Sequence, residues 1–364
     1  MPLFLLKTEM GRQQLKTGSK VRKPAKVMFN NVFSGARIRV NNLFTTIIRM
    51  KKNAMLALCA CCMVGFSGSA PVSAQNVPGN YEQNNIFASM QHEDKAAILM
   101  IHFGTTHADT RALTIDAINQ KVGEAFPDVE IREAYSSRII IKRLNDRGVK
   151  KQNPADALKQ LKAEGFTHIL VQPTTIIDGV EMESINHDVA ELREGFKDLR
   201  VGTPLLFYTS DYEEVIDIIT RDNHPDMAYV WVGHGTDDSA TAQYAMLDYM
   251  LKEKGFKNHI VGCIEGYPYY EQALKQLKAS GLKKVRLAPF MFVAGEHAKN
   301  DIAEDWKEEL EAEGFSVEVL MQGMGEVKEI QDKFIRSLRN IADNPRVNIM
   351  DKKRIYEVTG EIME

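Results

Sequence analysis

Ala157-Leu158-Lys159-Gln160-Leu161-Lys162-Ala163 recurs, residue for residue, as Ala273-Leu274-Lys275-Gln276-Leu277-Lys278-Ala279. Each copy is followed by a glycine, Gly165 or Gly281, placed to stop a helix with positive φ. Beyond the glycines, short apolar strands run to Pro173 and Pro289, and the loops after them reach Gly179 and Gly295. Carried two residues further, the same register pairs Glu181 with His297. Upstream, Glu133-Ala134-Tyr135 pairs with Glu265-Gly266-Tyr267. Matches at this many points mean one α/β unit written twice.

The body of each unit opens on a continuous apolar strand, Ala96–Ile101 ending at Phe103-Gly104-Thr105, and Ala228–Val232 ending at His234-Gly235-Thr236. Strands apolar on both faces belong to parallel sheets covered by helices. Helical stretches follow over Asp109–Phe126 and Ser239–Lys254, then further strands and helices in alternation. The expected fold is therefore α/β: two similar doubly wound parallel-sheet domains, an internal duplication, with a cleft between them. The halves are placed at 90–225 and 226–345, with a tail over 346–364 of no assigned role. In open parallel sheets ligands bind beyond the carboxyl ends of the strands, so the strand-end loops of both halves should face one shared region.

Residues 1–74 hold 12 Lys/Arg and a single acid, Glu9, leaving 34 basic and 48 acidic residues in the rest of a 364-residue chain. A body that acidic has no general attraction for phosphates, which excludes nucleic acid as a partner. Met50-Lys51-Lys52, the apolar stretch Ala54–Phe66 and Val72-Ser73-Ala74 read as a secretory signal over 50–74. It is too short for a stable membrane span, so the mature chain is expected to be exported, to the periplasm, without a transmembrane segment. Leu58-Cys59-Ala60-Cys61 offers lipoprotein anchoring as the second choice. Residues 1–49 are read as an extension produced by a start assigned too early. Three of the four cysteines lie in the signal, so the mature chain would keep only Cys263 and no intrachain disulfide.

The polar residues at the strand ends carry the chemistry. The first half offers His102, Thr105, Thr106, Glu133 and the loop Asp178–Glu183; the second offers His234, Glu265, Glu296 and His297. A lone histidine is more often a surface or capping residue than a ligand. His234, Glu265 and His297, however, follow three different strands of one module. Two imidazoles and a carboxylate, with positions left open, suit a divalent transition metal that must exchange its ligands. Thr105, Thr106 and Asp109 read by default as helix caps. His92, His168, His187, His224 and His259 read as surface residues.

Phe103-Gly104-Thr105-Thr106-x-Ala108-Asp109-Thr110-Arg111 and Ser137-Arg138-Ile139-Ile140-Ile141-Lys142 resemble the first half of the anaerobic sirohydrochlorin cobaltochelatases, the class II chelatases. Val232-Gly233-His234-Gly235-Thr236, Glu265-Gly266-Tyr267-Pro268 and Pro289-Phe290-Met291-x-Val293-Ala294-Gly295-x-His297-Ala298-x-Asn300-Asp301 resemble the second half. The resemblance spans about residues 96–340. It implies two chelatase-like domains and a metal chelatase that inserts cobalt(II) into a reduced tetrapyrrole such as sirohydrochlorin, in cobalamin-type biosynthesis. It implies His234, Glu265 and His297 as metal ligands, with His234, His297 and Glu181 moving the pyrrole protons. Thr105, Thr106, Arg111, Arg138 and Glu183 would meet the substrate, with Lys142 a further basic candidate. The metal is substrate, cobalt first with nickel(II) or iron(II) as alternatives, and no organic cofactor is expected. Where members often carry a histidine, this chain has Thr175, and Glu296 stands where Asp is usual. The rival readings are an exported haem or tetrapyrrole carrier, and a protein that removes the metal. Homo-oligomer formation is left open.

Overall fold

The computed structural model describes residues 83–362. The extension over 1–49 and the signal over 50–74 lie outside the described residues. In chain order the elements are β1 (Ala96–His102), α1 (Ala108–Arg111) continuing through a π-helical turn into α2 (Ala117–Ala125), β2 (Glu130–Tyr135), α3 (Arg138–Asp146), α4 (Pro154–Ala163), β3 (His168–Pro173), α5 (Val180–Leu192), β4 (Asp198–Val201) and α6 (Thr209–Ile219). The second half repeats the pattern: β5 (Met227–Gly235), α7 (Ala242–Glu253), β6 (His259–Glu265), α8 (Tyr270–Ser280), β7 (Lys284–Pro289), a π-helical segment Ala298–Trp306 running into α9 (Lys307–Ala312), β8 (Ser316–Val319) and α10 (Lys328–Asp343). A last helix, α11 (Ile349–Thr359), forms in the tail and buries none of its residues.

Both halves are four-stranded parallel sheets with the same strand order, β2-β1-β3-β4 and β6-β5-β7-β8. The alternation of side chains along each central strand sorts the helices onto two faces. Ala97, Leu99 and Ile101 of β1 pack with α4 and α5, and Ala228, Val230 and Val232 of β5 pack with α8 and the Ala298–Trp306 segment. The other faces, carried by Ile98, Met100, Tyr229 and Trp231, join in one core that runs through both halves. The repeated heptads fall on α4 and α8, whose apolar positions Ala157, Leu161, Ala273 and Leu277 face these sheets, and Gly165 and Gly281 follow with φ of 83° and 71°.

The shared core exists because each half ends in a helix that packs on the other. Helix α6 lies on α7, and α10 lies on α2, β3 and β4. Ile330, Phe334, Ile335, Leu338 and Ile341 of α10 are buried there. At about 1.5–3 kcal/mol for each fully buried side chain, docking α10 contributes on the order of 10 kcal/mol, and about 15 kcal/mol at most. Its carboxyl-terminal carbonyls, which a helix leaves without partners, accept from the buried guanidinium of Arg200 on β4 at 3.0 Å (Ile341) and 2.7 Å (Ala342). A division of the chain at residue 225 thus leaves a helix of each half on the wrong side.

The strand register also revises the upstream match of the two halves. Ile101 lies opposite Ala134 and Pro173, and Val232 lies opposite Gly262 and Pro289. Ile101 and Val232 are therefore equivalent, which makes Phe103 the counterpart of His234. Tyr135, opposite His102, is the counterpart of Cys263, opposite Gly233. Two residues on, Ser137 matches Glu265. Glu133 lies four residues short of that point, within β2, because the local Glu-x-Tyr likeness says nothing about pairing.

Two histidines expected at the surface are buried, His168 at the start of β3 and His259 at the start of β6. The Trp231 indole N–H, which can only donate, points at His259 Nδ1 at 3.1 Å, and Nε2 lies 3.1 Å from Asn223 Oδ1. The ring is thus held neutral, protonated on Nε2 alone, and stacked on Tyr229. Burial pulls its pKa from 6.5 down to about 4. Below pH 6.5 the unfolded chain takes up a proton that the folded chain refuses, so stability falls as pH drops toward 4 and levels off below it. Chemical denaturation should show about 2 kcal/mol less stability at pH 5 than at pH 7 from this group, and His259→Gln should flatten that slope. An unchanged slope in the variant would reject the assignment.

Candidate metal centre

β5 delivers His234 just before Gly235, whose φ of 82° turns the chain away from the strand. The His234 side chain is 39 % exposed, and its Nδ1 lies 3.1 Å from the Gly235 carbonyl and 3.9 Å from Glu265 Oε2. Since a carbonyl can only accept, this contact puts the proton on Nδ1 and leaves the Nε2 lone pair free. Glu265 is the last residue of β6 and lies opposite Gly235 in the ladder.

His297 enters from the third strand end, in the first turn of the helix after β7, with its side chain half-exposed. Its Nδ1 lies 2.7 Å from Asp301 Oδ2, one turn further along the same helix. A carboxylate so placed orients the ring, fixes the proton on Nδ1 and makes Nε2 a better donor to a metal. The His234 and His297 rings meet edge to face with centroids 4.7 Å apart. Among the described residues no three His, Cys, Asp or Glu side chains are already set as ligands of one ion.

The other predicted site residues are distributed around this trio rather than gathered with it. Glu181 and Glu183 lie in the first turn of α5. Glu183 lines a pocket of about 360 Å³ with Asp178, Asn186 and Asp238, and no residue of the trio borders it. Thr105 is buried, and its Oγ1 accepts from the His107 amide at 3.1 Å, a loop-forming contact. The Thr106 carbonyl accepts from Arg147 at 3.3 Å. Arg111 is held by Asp116 at 3.2 Å, Arg138 lies 3.5 Å from Asp188, and Lys142 pairs with Asp146.

His102 and Glu133 fall out of the cleft altogether. His102 is buried, its Nδ1 2.9 Å from Thr174 Oγ1 and its Nε2 3.0 Å from Asn119 Oδ1. Asn119 donates in turn to Glu133, which also pairs with Lys151. Burial lowers the pKa of His102, so the ring is a neutral member of this inner network.

Sequence reasoning passed over His107. Its Nε2 lies 3.4 Å from Glu296 Oε2, and Lys299 Nζ lies 3.3 Å from its Nδ1. Both partners flank His297, so His107 ties the loop after β1 to the loop that carries a ligand candidate. Nothing in the sequence marks it, because the contact spans 192 positions and no spacing links its ends.

Three comparisons relate the chain to known proteins. The family model described as "Cobalt chelatase (CbiK)" matches residues 96–343. A sirohydrochlorin cobaltochelatase of Salmonella typhimurium is 34% identical over 253 residues, 67% of this chain and 95% of the relative. The sirohydrochlorin cobaltochelatase CbiKC of Nitratidesulfovibrio vulgaris is 32% identical over 254 residues, 67% of this chain and 89% of the relative. Among solved structures, SirB from Bacillus subtilis with Fe3+ aligns over 68% of this chain and 96% of its own, at a TM-score of 0.49 and 16% identity.

Proposed function

We propose, from the premise that this chain belongs to the cobalt chelatase (CbiK) family, that it inserts cobalt(II) into sirohydrochlorin or a closely similar reduced tetrapyrrole, a step of cobalamin biosynthesis. The observation that carries the reading is the meeting of His234, Glu265 and His297 from three strand ends of one sheet. Both imidazoles have their Nδ1 occupied and their Nε2 free, which suits loose capture of a divalent ion.

Insertion exchanges two pyrrole N–H protons for one M²⁺. An imidazole that gives up the ion regains its lone pair at that moment and is the nearest base for a departing proton. Glu181, the counterpart of His297 in the first half, is the proton acceptor assigned to the facing wall. The affinity order of first-row metals favours nickel and copper over cobalt at such a site, so supply rather than the ligand set selects the metal. Thr106, Arg111, Arg138 and Glu183 remain the residues assigned to the macrocycle's polar edge, whereas Thr105 is buried with its Oγ1 accepting from the His107 amide and is withdrawn from that role. For the two arginines, contact requires leaving Asp116 and Asp188.

Export to the periplasm is part of the same proposal and rests on the pattern over 50–74. No helix among the described residues is long and apolar enough to cross a membrane. The test of function is cobalt insertion into sirohydrochlorin followed by absorbance. Glu181→Gln should lower turnover by roughly a hundredfold while leaving tetrapyrrole binding within about twofold. Equal loss of binding and turnover would mean that Glu181 only holds the substrate.

A further inference from the structure

The two halves present different side chains at equivalent places. Strand pairing equates Ile101 with Val232, so Phe103 occupies in the first half the place of His234 in the second. Each is followed by a glycine with positive φ, 100° at Gly104 and 82° at Gly235, so the chain leaves both strands in the same way. By the same count Ser137 stands for Glu265 and Glu181 for His297. A duplicated module thus carries two imidazoles and a carboxylate on one wall, and on the other a benzyl group, a hydroxyl and a carboxylate.

Phe103 is also an anomaly in its own strand. Ala97 to His102 are buried, yet Phe103 is 45 % exposed. Its neighbours on both sides touch the second half. The His102 ring stacks on Phe292 at 6.0 Å between centroids, and a Cβ on Gly295 would lie 3.7 Å from Thr105 Oγ1. His107 reaches Glu296, next to His297. The exposed ring therefore stands at the seam between the halves, near the loop that carries the ligand candidate His297. Leaving it in water costs the transfer free energy of an aromatic side chain, which a flat apolar partner would recover.

We infer that Phe103 is the face on which the tetrapyrrole stacks, opposite His234 and His297, so that the macrocycle lies between an aromatic wall and the incoming ion. This rests on the chelatase reading above and adds to it the residue that positions the ring plane. Stacking on one face leaves the other open to the metal, and it needs no charge or hydrogen bond that would compete for the pyrrole nitrogens.

The test uses the full chain and sirohydrochlorin, with KM for the macrocycle and for cobalt measured separately and metal-free binding followed by absorbance. Phe103→Ala is expected to raise the macrocycle KM and Kd roughly tenfold or more, to leave the cobalt KM unchanged, and to keep the thermal midpoint of the parent. Phe103→Trp is expected to restore binding, since any large aromatic face will serve. A Phe103→Ala protein that binds and metallates like the parent overturns the inference while leaving the chelatase reading intact. A parent protein that neither binds nor metallates sirohydrochlorin overturns both. Equal rises in the two KM values would also overturn it, because they would mark a general distortion of the seam.

Discussion

Cobalt insertion by the His234→Ala/His297→Ala double variant should fall to the uncatalysed rate, at least about a thousandfold below the parent. The two rings supply both free Nε2 donors of the trio, and Glu265 alone would remain as an exposed carboxylate with nothing opposite it. Losing one of three ligands weakens a loosely held ion, and losing two leaves no site. Neither ring is part of the core, so the variant should fold with a thermal midpoint close to the parent's. Cobalt binding by calorimetry and insertion by absorbance give two independent readings. Turnover that persists within tenfold of the parent would place the metal elsewhere.

The second large effect comes from a single methyl group. Gly235 combines a φ of 82° with a carbonyl neighbour so close that an added Cβ would stand 1.4 Å from the Glu265 oxygen. The positive φ alone costs an alanine about 1–2 kcal/mol. The overlap cannot be relieved by a side-chain rotation, since the obstacle is main chain. Either β5 or β6 must shift, and with it His234 or Glu265. Gly235→Ala should lose about 4 kcal/mol or more, a fall in midpoint of about 10 °C, together with most of its cobalt affinity. Gly281→Ala is the control. Its φ is 71°, but nothing lies within 4 Å of the added carbon, so about 1 kcal/mol and a few degrees are expected with activity kept. Similar losses in the two variants would show that φ, not the approach of the two strands, governs the site.

Much of this architecture was legible because its signals are local. The repeated heptads, the apolar strands and the glycines after the helices are short-range patterns, and they led to two similar parallel sheets. The trio of His234, Glu265 and His297 was legible for a related reason. Residues that follow three parallel strands of one sheet must emerge along one edge, whatever the details of packing. What escaped depends on pairing across the chain. Glu133 and Glu265 share a local likeness but not a register. His259 is enclosed by Tyr229, Trp231 and Asn223, which reach it only once β5 and β6 lie side by side, and His168 is likewise buried at a strand start. His107 meets Glu296 only once the two halves are docked, and the crossing of α6 and α10 leaves no periodic trace at all.

That crossing constrains how the protein can move. A two-lobed binder that opens like a jaw needs a strap with few contacts across it. Here two straps run in opposite directions, each stitched into the other lobe, and α10 is anchored at its end by Arg200. Swinging the lobes apart would peel both helices from their hosts at once, against burial that rivals the whole stability of an ordinary domain. Opening of the lobes is therefore opposed by both straps at once.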